Sequence, residues 1–429
     1  MTIDAIRDGI RFTEEIRDPV WKSIRLTPTL KTITRTAPFL RLYRIKQLGP
    51  TEYIYPGATH SRASHSLGVY HLALRMLKVI LDAGGREWLT SLGCWSFLAA
   101  ALLHDLGHFP FTHSLKELPL REHESLTADA IEGDLLSSLI CEAGGDPLIC
   151  AAIIDQEKDI PLSFEQEVLF FRKLLSGVLD PDKLDYLNRD AYYCGVPYGV
   201  QDTDFILSRI TCDKTHGFTL DSSSIMSVEG ILFSKYLMYR SVYWHKNVRM
   251  ATAMMKKTLY KALHLGILAP EDLYPLDDEG IYALIASLDF PERDVALSIR
   301  RRSFYSIIGE FDFDSASPAM QALENLEQRT LSEQICADFL SQRLHKSIHA
   351  YEVVIDIPER ISFESDILVK DEEKTFSSSS TVFSGAVVQR FTSSLRKIRI
   401  AVHPSLGSNT LLQNLDKQEL AHCLGLGYT

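Results

Sequence analysis

The chain has 429 residues, of which 45% are hydrophobic and 24% charged, and this balance excludes a largely disordered protein. Its 45 basic and 56 acidic residues give a net charge of -11, which argues against a protein that coats polyanions. Without a long apolar run or an apolar N-terminal block, we expect no membrane span and no signal peptide. The seven cysteines include no CxxC pair, so we expect reduced thiols in a cytoplasmic protein.

The first two-thirds of the chain have the dense apolar spacing of buried helices. Gly84 and Gly85 end the first long helix, and Pro110 closes the second shortly after His108. A short apolar segment at 53–55 hints at a strand. Helices are predicted over residues 64–83, 95–108, 124–143, 164–176, 182–191, 231–265 and 278–288.

The pattern changes near residue 300. Residues 317–347 still have helical spacing, but 350–358 and 397–402 alternate as half-buried strands do. The polar tract 376–382 is typical of a loop. We therefore expect a mainly α protein, with an N-terminal arm and an all-α domain over 1–300 and a smaller α+β lobe over 301–429.

Histidines are concentrated in one part of the chain: seven of the 14 fall between His60 and His123. The densest segment is His104-Asp105, and in a helix continuing to His108 the two histidines would stack one turn apart. Imidazole and carboxylate ligands together suit a borderline divalent metal. Two ligands make a weak site, and His65 and Asp182 at helix starts could add others. An isolated His-Asp pair could equally be a hydrogen-bonded helix end.

Five segments occur in an order that resembles the HD-domain phosphohydrolase superfamily and, within it, the dNTP triphosphohydrolase branch. They are residues 45–49 (IKQLG), 55–62 (YPGATHSR), 65–69 (HSLGV), 104–113 (HDLGHFPFTH) and 182–190 (DKLDYLNRD). The resemblance extends over about residues 41–310. It implies an HD-domain helical bundle and an enzyme in which water attacks the α-phosphorus of a dNTP, giving deoxynucleoside and triphosphate.

The same resemblance implies a metal site and a ring of imidazoles. The metal, a divalent ion such as Mn, Fe, Zn, Ni or Mg, would lower the pKa of bound water and polarise a phosphoryl oxygen. His108 and His123 would do acid–base work near neutral pH, and His113 would mainly support them by hydrogen bonding. The implied metal ligands are His65, His104, Asp105 and Asp182.

Substrate contacts are implied by the same comparison. Arg62, Lys183 and Lys235 would hold the phosphates. Arg62 and Lys183, which lie next to metal-ligand positions in the sequence, could otherwise be solvated surface residues. An aromatic ring under the sugar would exclude a 2′-hydroxyl, while Leu48 and Tyr243 could also be ordinary core. The positions that would line the deoxyribose and base are Gln47, Leu48, Tyr186, Asp190 and Tyr243.

The chain departs from the vertebrate pattern beside the imidazoles. The carboxylate that partners the catalytic imidazole there is replaced by Lys116, which Glu117 follows. Either Glu117 takes over that partnership or the proton relay is weaker.

Residues 230–270 contain seven Lys or Arg and no acidic residue, a local positive field in an acidic chain. This basic stretch could be a solvated helix face or a subunit interface, or one end of it could face the active site. Single-stranded nucleic acid is a weakly supported alternative, because basic and aromatic residues do not alternate. The expected partners are a nucleotide and further copies of the chain, as a dimer or tetramer.

Two other functions remain open from the sequence. The same fold and metal could act on nucleoside monophosphates or phosphodiesters, although Arg62, Lys183 and Lys235 favour a triphosphate. A nucleotide sensor without turnover is the other alternative: the complete ligand set argues against it, and Lys116 keeps it open.

A regulatory prediction concerns the residues before the IKQLG segment. In the vertebrate enzyme, polar and charged side chains there read a guanine nucleotide, and here the positions hold Arg35, Leu40 and Tyr43. An aliphatic side chain and a phenol cannot replace charged readers of a guanine edge. We therefore expect GTP or dGTP added to an activity assay to give no large stimulation; a large stimulation would contradict this prediction.

Overall fold

The computed structural model describes residues 2–9, 11–213, 217–361 and 367–426. Helices dominate, so the prediction of a mainly α protein with a small α+β lobe is confirmed. The N-terminal part contains α1 (Ile3–Asp8), β1 (Glu14–Asp18), β2 (Lys22–Leu26), α2 (Pro28–Ile33), α3 (Ala37–Leu42), α4 (Arg62–Asp82), α5 (Ser91–Leu103), α6 (His123–Glu132), α7 (Asp134–Glu142), α8 (Pro147–Ile154), α9 (Glu165–Leu175), α10 (Pro181–Cys194) and α11 (Thr203–Ser208).

The rest of the chain mixes helices with short strands. Its elements are β3 (Ile210–Asp213), β4 (Gly217–Leu220), α12 (Ile225–Met238), α13 (Lys246–His264), α14 (Asp278–Ser287), α15 (Arg293–Arg300), β5 (Ser306–Asp312), α16 (Pro318–Ala322), α17 (Leu326–Leu344), β6 (Val353–Asp356), β7 (Leu368–Val369), β8 (Lys374–Thr375), α18 (Gly385–Leu395), β9 (Lys397–Val402), α19 (Pro404–Gly407), α20 (Thr410–Gln413) and α21 (Lys417–Cys423).

Helices α4 and α5 form the centre of the largest hydrophobic core. Helix α4 packs against both α5 and α10, and α5 also packs against α8 and α9. Trp95 is fully buried, and the rings of Phe97 and Phe171 stack with centroids 4.7 Å apart. Helix α5 is buried from Gly93 to Leu103, so His104 and Asp105 follow directly at its end, whereas α4 carries His65 in its first turn and Arg75 and Lys78 on a partly exposed face.

Local capping fixes where those ends lie. Ser61 accepts from the amide of Ser64 at the start of α4, and Asp180 accepts from the amide of Lys183 at the start of α10. Helix α5 ends at Leu103 rather than continuing to His108 as the sequence predicts. The amides of Leu106 and His108 close tight turns onto residues 103 and 105. His104 and Asp105 therefore lie just beyond the helix.

Three other elements differ from the sequence predictions. The predicted helix 124–143 is two helices separated at Gly133, whose ψ of 146° is extended. The predicted helix 231–265 is interrupted by a π-turn at Tyr239–Tyr243. The segment 53–55, which hints at a strand, is instead the end of a 3-10 helix (Gly49–Tyr53) followed by a turn. The hairpin β1–β2 and the strands β3 and β4 had no counterpart in the predictions.

Two sheets organise the C-terminal part. Strands β5, β9 and β6 form an antiparallel sheet, and β9 has the predicted bounds 397–402. The second sheet joins β3 and β4 to β7 and β8, with Thr219 opposite Leu368. Residues 367–395 therefore return to pack against the N-terminal core. The domain boundary near residue 300 stays a prediction.

Within the described residues, no single helix is both long and apolar enough to span a membrane. The pair α7 and α8 meets the length and composition criteria only jointly, with a bend of 106°. All seven cysteines are described, and no disulfide joins them.

Most of the basic stretch on α13 is used internally. Arg249 and Lys256 bind carboxylates that follow β6, and Lys257 binds the carboxylate of Glu333 on α17. The other carboxylate oxygen of Glu333 accepts from the amide of Ile355, at 2.9 Å. The stretch therefore attaches the C-terminal lobe to the helical part.

We predict that Glu333→Ala lowers the free energy of unfolding by about 3 kcal/mol, because the Lys257 ammonium and the Ile355 amide lose a buried acceptor. Chemical denaturation measures the change. Asp338→Ala, an exposed carboxylate on the same helix, is the control and should change stability by less than about 0.5 kcal/mol. Equal effects of the two substitutions would contradict this reading of the interface.

Candidate metal centre and substrate cavity

Three chain segments bring the predicted metal ligands together. The first turn of α4 supplies His65, the turn after α5 supplies His104 and Asp105, and the first turn of α10 supplies Asp182. His65 Nε2 lies 2.9 Å from Asp182 Oδ1 and 4.0 Å from Asp105 Oδ2. His104 Nε2 lies 3.3 Å from Asp105 Oδ1 and 3.9 Å from Asp182 Oδ1. The four side chains thus surround one small volume.

The donor set fits a divalent metal. His104 Nδ1 lies 3.0 Å from the carbonyl oxygen of Ala101, a hydrogen bond that places the proton on Nδ1 and leaves the Nε2 lone pair available. Buried Nε2 has no hydrogen-bond partner among the described residues. Two imidazoles and two carboxylates suit Zn, Fe, Mn or Ni, so these residues could hold such an ion.

A buried carboxylate behind the site orients His65. Asp185 Oδ2 lies 2.8 Å from His65 Nδ1 and also accepts from Arg189, which in turn donates to Asp18 at 2.8 Å. Burial lowers the pKa of His65, but the hydrogen bonds to Asp182 and Asp185 outweigh it and raise the pKa to about 10. Without metal, His65 therefore holds its proton between two carboxylates.

Sequence analysis missed Asp185, although the residue lies inside the DKLDYLNRD segment. The available signal was its spacing: Asp185 follows Asp182 by three residues and precedes Arg189 by four, so all three lie on neighbouring helical positions. Gly68 on α4 makes room for the pair. A Cβ there would lie 1.8 Å from Asp185 Oδ1 and 2.5 Å from Arg189 Nη2.

Three imidazoles form a cluster next to Asp105. The ring centroids of His108 and His123 are 3.8 Å apart, and Nε2 of His108 lies 3.1 Å from Nε2 of His113. Burial, followed by the positive charge of Arg62, lowers the pKa of His113 to about 4. Burial also lowers the pKa of His108 and of His123. All three rings are therefore neutral at pH 7.

Lys116, which replaces the vertebrate carboxylate in the sequence, and Glu117, which follows it, do not partner the imidazoles. Glu117 binds Arg329 at 2.9 Å and Lys256 at 3.2 Å, so it does not take over the imidazole partnership. Lys116 is half exposed. The carboxylate beside His123 is instead Glu124, whose Oε2 lies 3.0 Å from Nδ1 of His123.

A cavity of about 970 Å³ opens onto the metal site. The neighbouring imidazoles that line it are His113 and His123, with His108 behind them. Lys183 binds Asp180 and the carbonyl of Gly177, and Lys235 is buried on α12; neither is among the described residues that line the cavity. The predicted site residues that do line it are Gln47, Leu48, Arg62, His65, His104, Asp105, His113, His123, Asp182, Tyr186, Asp190 and Tyr243.

One side of the cavity presents polar groups suited to hydroxyls. Asp190 accepts from the Tyr243 hydroxyl at 2.7 Å, and its other oxygen lies 2.7 Å from His60 Nε2. Gln47 Oε1 is buried and has no partner from any residue the structure describes. His60, which the sequence left without a role, therefore fixes the Asp190 carboxylate, and the spacing of 130 residues gave no signal for this contact.

The cation nearest the metal ligands is Arg62. Its Nη1 donates to Asp105 Oδ2 at 2.9 Å, and the side chain is almost fully buried while still lining the cavity. Because a guanidinium keeps its charge when buried, Arg62 supplies a fixed positive charge beside the metal site.

Two family models match the chain: the HD domain over residues 62–154 and the HD associated region over residues 202–395. An uncharacterized Bacillus subtilis protein, YwfO, is 37% identical over 58% of this chain and 56% of its own length. The deoxynucleoside triphosphate triphosphohydrolase SAMHD1 of Gallus gallus is 26% identical over 72% of this chain and 58% of its own. The chain thus spans little more than half of either relative.

A solved structure matches over almost the whole chain. It is a phosphohydrolase from Bacteroides thetaiotaomicron, with a TM-score of 0.69 and 25% identity over 91% of this chain and all of that chain. The fold and the two family models define a protein with an HD domain, which contains His65, His104 and Asp105. The chain belongs to the HD-domain phosphohydrolase superfamily, and its relatives include dNTP triphosphohydrolases.

We predict that Asp185→Asn weakens metal affinity about 10- to 100-fold, because an amide has one acceptor oxygen, whereas one carboxylate oxygen of Asp185 accepts from His65 and Arg189 and the other accepts from Trp21 and Arg189. Titration of Mn²⁺ or Zn²⁺ followed by calorimetry measures the affinity, and a thermal melt verifies folding. The control is Asp155→Asn, which changes another buried carboxylate of the cavity whose side chain accepts from the Glu157 amide. Unchanged metal affinity in a folded Asp185→Asn protein would refute the positioning role.

Proposed function

We propose that this protein is a metal-dependent deoxynucleoside triphosphate triphosphohydrolase. The observation that carries the proposal is the convergence of His65, His104, Asp105 and Asp182 in a cavity, with a buried His104 Nε2 that the described residues leave unpartnered. The similarity to SAMHD1 supports the choice of a dNTP within the superfamily.

The metal would be held by those four side chains and would supply an activated water and a polarised phosphoryl oxygen. Arg62 offsets the charge that develops on the phosphate in the transition state. Water attacks the α-phosphorus and the bond to the 5′-oxygen breaks, so the leaving oxygen needs a proton. His108 and His123 would accept a proton from water and return it to that oxygen; His123 lines the cavity, and His113 would support them through its contact with His108.

The deoxyribose would lie against the polar side of the cavity. The unpartnered Oε1 of Gln47 can accept from the 3′-hydroxyl, and Asp190 is held in place by His60 and Tyr243 for the same task. Tyr186 and Leu48 would pack against the sugar and base. Lys183 and Lys235 lie behind the cavity wall, and they would stabilise the phosphates by raising the electrostatic potential in the cavity.

The proposal includes two properties of the whole protein. Met226 and Phe233 expose 74% and 48% of their surface on α12, which supports assembly into a dimer or tetramer. Cysteines without disulfides support a cytoplasmic location. Sedimentation of the purified protein tests the first property.

We predict that the protein with Mn²⁺ or Mg²⁺ releases inorganic triphosphate from at least one dNTP in a panel of dNTPs, NTPs, nucleoside monophosphates and phosphodiesters. Product identification by ion chromatography decides the outcome. Orthophosphate or a nucleoside monophosphate as the product would indicate another phosphohydrolase activity. No product from any substrate would indicate a sensor.

Asp105→Ala is the matched control for that assay. The substitution removes a metal ligand, so both bound metal and turnover should be lost while the circular dichroism spectrum is retained. Retained activity in this variant would refute the site.

A further inference from the structure

A second charged cluster lies in the wall of the same cavity. Arg249 and Lys256 project from α13 and are both only 3% exposed. The carboxylate of Glu359, three residues after β6, joins them: Oε2 lies 2.8 Å from Arg249 Nη1 and Oε1 lies 3.4 Å from Lys256 Nζ. Arg249 and Glu359 line the cavity, and Lys256 lies behind them.

The backbone just before Glu359 is held independently of the Glu359 side chain. Arg396 Nε donates to the carbonyl of Pro358 at 2.7 Å, and Arg249 Nη2 donates to the carbonyl of Ile357 at 3.2 Å. The Glu359 side chain itself retains 26% exposure, whereas Asp356 is 1% exposed. The carboxylate can therefore swing away from its cations without unfolding the segment.

The cations also have permanent partners deeper in the protein. Arg249 binds Asp356 at 2.7 Å, and Lys256 shares Glu117 with Arg329. Arg399 also binds Asp356, at 3.6 Å, and Glu310, at 2.8 Å. With Glu359 in place, four cations therefore face four carboxylates; with Glu359 displaced, four cations face three. The excess positive charge would then face the cavity, where an anion could replace the carboxylate.

We propose that Arg249 and Lys256 form a phosphate subsite of the cavity, which the carboxylate of Glu359 occupies until a polyphosphate displaces it. This proposal rests on the proposed function. If the cavity binds a nucleoside triphosphate, its terminal phosphate is the anion that would reach this subsite. A guanidinium fork and an ammonium suit a phosphate as well as they suit a carboxylate. When one anion replaces another, the cations stay paired throughout. The unfavourable free energy of an unpaired buried charge therefore does not arise.

This arrangement makes Glu359 a competitor of the substrate. The carboxylate would weaken the binding of any polyphosphate, and its removal would strengthen it. The same phosphate chemistry could come from the tail of the substrate or from a separate effector. Kinetics distinguish the two: loss of the competitor lowers KM when the substrate tail binds there, and leaves KM unchanged when an effector does.

The test is calorimetric binding of inorganic tripolyphosphate to wild-type protein and to Glu359→Gln, which keeps the shape and removes the charge. We expect about tenfold tighter binding by the variant, with a steeper dependence on salt. Glu132→Gln is the matched control: Glu132 is 33% exposed and both of its carboxylate oxygens bind Lys158, but both residues lie outside the described lining of the cavity. Equal affinities of Glu359→Gln and wild type, or an equal gain in Glu132→Gln, would overturn the proposal.

A second measurement uses the wild-type chain and does not depend on the variant folding. A crystal structure of the wild-type protein with tripolyphosphate should show a phosphate oxygen on Arg249 Nη1 and the Glu359 carboxylate turned away from it; a carboxylate that still binds Arg249 at full ligand occupancy would overturn the subsite. Neither readout requires turnover. If Glu359→Gln binds tripolyphosphate more tightly but the wild-type protein hydrolyses no dNTP, the subsite is supported and the proposed function is refuted.

Discussion

The buried carboxylate of Asp185 connects the metal centre to the fold. It holds His65 from behind and is itself held by Arg189, which reaches Asp18 at the end of the first hairpin strand. A buried charge of this kind is tolerated only where partners surround it. The close approach of α4 and α10 at Gly68 makes those contacts possible, so the N-terminal hairpin, two core helices and one metal ligand depend on each other.

The cavity is assembled from parts that are distant in sequence. The metal ligands and imidazoles lie on one side, the Gln47 and Asp190 pair on another, and the segment after β6 completes the wall with Glu359. That last segment comes from the C-terminal lobe, which α13 attaches through buried ion pairs. The lobe therefore contributes Glu359 to the cavity wall. Three of the seven cations of the positive stretch, Arg249, Lys256 and Lys257, pair with carboxylates within the chain.

Local chemistry explains which predictions agreed with the structure. Helices with strong apolar periodicity, such as α4, α9 and α10, occur where predicted, because burial of one face or of the whole helix leaves a clear pattern. The extension of α5 to His108 was wrong, since tight turns at 103–108 compete with helical hydrogen bonds and periodicity does not register them. The strands β3 and β4 had no counterpart in the predictions, although β6, also of four residues, was predicted.

The sequence by itself determined the class of protein, the mainly α fold and the residue types of the metal site, because ordered motifs and hydrophobic periodicity are written along the chain. The tertiary structure alone decided which neighbours complete that site. Asp185 behind His65, His60 behind Asp190, and Glu359 over Arg249 are contacts set by helix packing and segment crossings. Contacts between residues more than 100 positions apart, such as those of His65, His60 and Arg249, depend on how whole elements pack, and no local pattern encodes them.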